Sequence, residues 1–177
     1  MSDRMHAIED GVARLRREFD GAFAEPVAVQ ADDYERFLRI AVSDGAYAVR
    51  LREIEGLFAD RAIVAAPSPL PDLLGLTSIR GRLLPVYALS VILGVEGHGT
   101  PRWLVVAEGF AAAFAFDTMS GHVRARPTDL LASETGEGAL CPKTLLAPGE
   151  RLGVISIPAV VRRLESRVAL RRSGLGA

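Results

Sequence analysis

Leu74-Gly75-Leu76-Thr77-Ser78-Ile79-Arg80-Gly81-Arg82-Leu83-Leu84-Pro85-Val86-Tyr87-Ala88-Leu89 says most about how this chain folds. Two apolar runs, 74 to 79 and 83 to 89, flank Arg80, Gly81 and Arg82, a pattern that predicts strand, tight turn, strand. Gly81 can take the positive φ that hairpin turns need. The turn would hold two guanidinium groups at the tip of a β-element. Pro85 has no N–H for a ladder, so the second strand is expected to be an edge or to carry a bulge there.

Outward from this hairpin, the composition supports one domain, or two small lobes sharing a core, since 49% of the 177 residues are hydrophobic. The formal net charge is −1, which excludes a broad basic surface for phosphates, and nucleic acid is not an expected partner. The single cysteine, Cys141, cannot form an internal disulfide and reads as a packed structural thiol in a reducing cytoplasm. No run approaches the ~18 to 20 apolar residues of a membrane span, so no membrane insertion is expected. His6, His98 and His122 show no metal-ligand spacing. There is no nucleophile elbow and no glycine-rich phosphate or dinucleotide loop. The expectation is a protein without catalytic residues, metal or cofactor.

Taken in order, Met5, Ile8, Val12, Leu15, Phe19 and Phe23 form one apolar stripe at helical spacing, so residues 1–33 are expected to be a helix and a linker. That helix either packs on the body or, through Ile8, Val12, Leu15 and Phe19, binds a partner or a second copy. From Tyr34 the period becomes two. Phe37 to Val42, a turn at Ser43-Asp44-Gly45 and Ala46 to Leu51 predict a hairpin with Tyr47, Val49 and Leu51 on one face. Another short strand is expected within Leu57 to Ala66. Pro67-Ser68-Pro69-Leu70-Pro71 reads as a stiffened loop rather than a polyproline ligand. Residues 96–101 are the expected lobe boundary. Arg102 to Ala107 and Phe110 to Phe116 predict a further hairpin, Gly121 to Arg126 an edge strand, and Thr144 to Ile157 a pair joined at Pro148-Gly149-Glu150. Pro158 suits the first turn of a C-terminal helix running to residue 170, with 171–177 as a tail.

Gly75, Leu76, Ile79, Arg80, Gly81, Leu84, Pro85, Val86 and Leu89 together resemble the signature of CheW-like domains, and the resemblance extends over about residues 34–170. It implies a mainly β fold of two small five-stranded, SH3-like β-barrel lobes, here with an added N-terminal helix and a C-terminal helix. It implies a non-catalytic cytoplasmic adaptor, recruited to membrane-associated receptor arrays. One surface would bind the regulatory domain of a CheA-type histidine autokinase, another the cytoplasmic tip of methyl-accepting chemoreceptors. By position, Arg80 is the first candidate for the receptor interface, with Arg82, Glu53, Ile79 and Leu84 beside it. Gly81, Gly75 and Pro85 would be structural positions of the turn region. Two positions depart from the pattern: Ala88 stands where an aspartate is usual, and Ile155-Ser156-Ile157-Pro158 replaces a Leu-Asp pair before the last helix. The alternatives are a CheW-like scaffold in another kinase pathway, of motility or development, and a small-molecule-binding β-domain with a deep polar pocket.

Overall fold

A computed structural model of the chain describes residues 34–97, 100–133 and 139–174, with side chains to 169. The expected helix with Ile8, Val12, Leu15 and Phe19 lies outside the described residues. Eleven strands alternate with short helical turns: β1 (Glu35–Val42), β2 (Gly45–Arg50), β3 (Ile54–Ala59), β4 (Leu73–Ile79), β5 (Arg82–Ala88), helix α1 (Leu89–Leu93), β6 (Trp103–Ala107), β7 (Ala113–Phe116), β8 (Thr118–Ala125), β9 (Leu130–Ala132), β10 (Lys143–Ala147), β11 (Glu150–Ile155) and helix α2 (Ile157–Gly174). The strands form two sheets, one ordered β8-β1-β2-β11-β10-β9 and the other β3-β6-β7-β5-β4.

The fold is mainly β, as the alternating pattern predicts, but the lobes are divided differently. The expected boundary at 96–101 falls between α1 and β6, and the strands on either side of it, β5 and β6, belong to the same sheet. The chain instead crosses between sheets at 51–54 and again at Asp117, so the first sheet is assembled from both ends of the domain. A parallel pairing of β11 with β2, Val154 opposite Ala48, completes it, and that contact spans a separation local patterning cannot report. The first sheet also has a sixth strand, β9, which pairs over only three residues. The C-terminal helix continues to Gly174, past the expected tail boundary.

Alternation assigns the cores. Phe37, Ala48, Leu145, Leu152 and Val154 fill the inside of the first sheet, and Ile79, Leu84, Val86, Leu104 and Val106 the inside of the second. Between the sheets lie Leu38, Ile40, Val42 and Val49 from one side and Val105, Phe114 and Phe116 from the other. Ile157, Val160 and Leu164 of α2 close this central layer. Tyr47 and Leu51 pack against it beside Val49, as the period-two reading requires.

Candidate functional site

At the tip of the β4–β5 hairpin, Ile79 pairs with Arg82, so the loop has two residues, Arg80 and Gly81. Both have positive φ, 50° and 76°, the requirement of a type I′ turn whose twist matches that of the strands. Glycine takes this at no steric cost, whereas Arg80 is held in a region that β-carbons disfavour. The Arg80 guanidinium carbon lies 5.7 Å from the centroid of the Phe58 ring, and that of Arg61 lies 5.5 Å from the same ring. One aromatic ring of β3 thus orders two cations. Arg82 starts β5 and donates to both oxygens of Glu55, at 3.0 and 3.1 Å. Since β3 and β4 end opposite sides of their sheet, these contacts show it curled until its edges face one another. Near the same rim Arg102 grips Asp60 at 2.8 and 3.0 Å, and these hydrogen bonds hold the Asp60 carboxyl below the usual carboxylate range.

Beside the tip is an apolar surface. Leu83 is 67% exposed and Val64 70%, unusual for large aliphatic side chains in a strand pair and its neighbouring segment. They flank a groove of about 440 Å³ whose lining also includes Arg61, Ala62, Leu76, Thr77 and Ser78. A second, smaller concavity of about 140 Å³ lies between the sheets, lined by Val42, Leu74, Ala88, Val91 and Phe116 together with Ser90, Pro101, Ala115 and Asp117.

The structure separates the other sequence candidates from this surface. Ile79 and Leu84 are 4% and 2% exposed and belong to the core of the second sheet, because their places in the hairpin face inward. Leu83, one residue away, is the exposed leucine. Glu53 accepts the Ile157 N–H at 2.9 Å, capping α2 from across the domain, and also lies 3.4 Å from the buried Arg50 guanidinium. Arg50 is in turn 3.1 Å from Glu35 and sits over the Phe37 ring. Glu53 therefore serves the fold through these contacts.

Gly75 is not in the turn. It follows a bulge in β4, at φ 147°, where an added β-carbon would stand 2.2 Å from the Val64 carbonyl oxygen. Pro85 lies in a strand between β4 and β7, and the bulge falls in β4 instead. Its missing N–H is tolerated because β7 pairs with β5 only from Val86 onward. The departures from the family pattern are absorbed unequally. Ser156 accepts the Ala159 N–H at 3.3 Å, so serine and Glu53 together replace a carboxylate before α2, whereas Ala88 gives α1 no side-chain cap.

Sequence reasoning missed Asp72 and Arg167. Asp72 is fully buried before β4 and accepts from Arg167 of α2 at 2.8 Å, across 95 residues. Burial first, and then the Asp72 charge, raise the Tyr87 hydroxyl pKa. No local signal marks such a pair. Cys141 is half-buried, and burial pushes its thiol up to about 11, unsuited to a nucleophile. Among the described residues no three His, Cys, Asp or Glu side chains converge as a metal site would require, and no helix is long and apolar enough to cross a membrane.

No family model matches the sequence, and no curated protein does. The structure is similar to that of the scaffolding protein TtCheW from Thermoanaerobacter tengcongensis, with a TM-score of 0.64 and 14% identity, over 70% of this chain and 90% of that one. The described domain accordingly has the CheW-like fold, in a divergent sequence.

Proposed function

We propose that this protein is a non-catalytic adaptor that couples chemoreceptors to a CheA-type histidine autokinase. The observation that carries the reading is an exposed face at the β4–β5 hairpin, with Leu83 and Val64 presented beside Arg80 and Arg61, on a CheW-like fold. An apolar centre with an arginine rim is the composition of a protein-binding surface rather than of a reaction site. An adaptor needs a second surface, and the concavity between the sheets, with Val91 42% exposed at its edge, offers one.

Arg80 contributes to partner binding in this reading through a guanidinium pre-oriented on Phe58, which lowers the entropy lost on docking. Arg82 serves mainly to close the lobe through Glu55. The adaptor would act through binding free energy, biasing the kinase's states by differential contact.

The test is calorimetric titration of the full chain with the regulatory domain of a CheA-type autokinase from the same organism, and separately with a receptor cytoplasmic tip. The reading predicts saturable binding of both, with Leu83→Glu weakening one of the two at least about tenfold while the other is retained. Absence of both interactions for the wild-type protein would reject it.

A further inference from the structure

The edge of β4 opens beside the exposed hairpin face. β4 is the last strand of its sheet. Its Leu76 exchanges two backbone hydrogen bonds with Val64, each 2.8 Å, which covers the edge at that point. Strand residues two apart direct their backbone groups to the same side, so the N–H and C=O of Ser78 leave by this edge too. Ala62 would oppose Ser78 if the pairing continued. It instead gives its carbonyl to the Thr77 hydroxyl at 2.8 Å, and the segment splays from the strand. Among the described residues Ser78 then has no backbone partner on that side, and the splay is the groove already described.

We propose that the groove between Val64 and Leu83 receives an extended peptide segment of a partner protein, which pairs with the β4 edge at Ser78, seats one apolar side chain over Leu76 and presents an acidic residue to Arg61. Each part has its own support. The open edge supplies a donor and an acceptor for main-chain pairing, the mode by which extended peptides add to sheets. The groove, at about 440 Å³, accommodates an aliphatic side chain, and the exposed Val64 and Leu83 flank it. Arg61 lies over Phe58 with no ion pair among the described residues, so the charge at this rim favours an anionic neighbour. The inference deepens the adaptor reading by naming the chemistry of one docking partner, but its test contains neither kinase nor receptor.

The experiment is an amide NMR titration of the full-length ¹⁵N-labelled chain. The probes are capped hexapeptides of alternating valine and threonine around one leucine, with aspartate, alanine or lysine beside it. A fourth probe repeats the aspartate peptide with alternate amides N-methylated. The expected result is saturable shifts at Leu76, Ser78 and Leu83, ordered aspartate over alanine over lysine. N-methylation should weaken binding at least about tenfold by removing main-chain pairing. Arg61→Glu should reverse the aspartate and lysine order, and Leu83→Glu should abolish the shifts while the remaining spectrum stays native. Absence of shifts at millimolar peptide, or equal binding of the N-methylated probe, overturns the proposal. A concentration-dependent dimer that Leu83→Glu dissolves would also overturn it, by assigning the face to a second copy of the chain. If the adaptor reading fails in calorimetry while these peptides bind, the groove stands as a peptide site with a different partner.

Discussion

Arg80 occupies a strained backbone position, at φ 50°, and is stabilised there by the Phe58 ring. Removing its side chain loses the ring contact and relieves the left-handed strain, and these oppose one another at about 1 kcal/mol each. Arg80→Gly is therefore expected to leave stability to urea within about 1 kcal/mol of wild type, while partner affinity falls. A large loss of stability would make Arg80 a structural residue only. Gly75 behaves in the opposite way. A β-carbon there meets backbone at 2.2 Å and demands a φ of 147°, so Gly75→Ala should cost about 3 kcal/mol or more in urea unfolding. Cys141 gives a pH prediction. Its folded-state pKa is raised to about 11 from 9.0, so folding favours the protonated thiol. The associated stability is complete below the unfolded value and is lost as pH rises through the window from about 9 to about 11. Alkylation at pH 8 should run about a hundredfold slower than for an unperturbed thiol, measured by thiol titration in native and urea-unfolded protein. Equal rates would mean that the thiol is not buried in solution.

Among the elements, the β4–β5 hairpin was the most legible, because two apolar runs around Arg-Gly can pair in few ways. Its inward and outward faces were less so. Ile79 and Leu84 face the core and Leu83 faces solvent, and the Pro85 position hides this alternation in an unbroken apolar run. The first hairpin shows the same limit. Asp44-Gly45 is a strong turn signal, yet Val42 pairs with Gly45 and the loop is Ser43-Asp44. Ser43 is held at φ 54° by its amide on Asp117, at 2.6 Å, and by its hydroxyl on the Glu96 carbonyl, partners far away in sequence. Helix α2 is likewise governed by remote groups, Glu53 at its first turn and Asp72 at Arg167. Glu53→Ala orphans the Ile157 N–H and removes one partner of Arg50, a loss of about 2 kcal/mol in urea unfolding. For the other pair, Arg167→Met should destabilise more than Asp72→Ala. It strands a carboxylate with no access to solvent, whereas the guanidinium, 33% exposed, can turn outward. The reverse order would mean that Asp72 matters for something other than this ion pair.

Across the whole molecule, the division into two sheets was foreseen but the path between them was not. Alternation identifies strands; it carries no record of which distant strands pair, and the parallel contacts of β2 with β11 and β5 with β7 fix the lobes here. The exposed hairpin face had the same partial legibility. Arg80 and Arg82 were visible at a turn, but Val64, Arg61 and the opened β4 edge come together only because the second sheet curls onto β3. The proposed adaptor role depends most on this face being the one presented to a partner. Hydrogen exchange of the full chain, alone and then saturated in turn with an autokinase regulatory domain and with a receptor cytoplasmic tip, is the measurement that decides this. In one of the two complexes exchange should slow over residues 61–64 and 76–84. Protection confined to other segments in both complexes, or no protection in either at saturation, would contradict it.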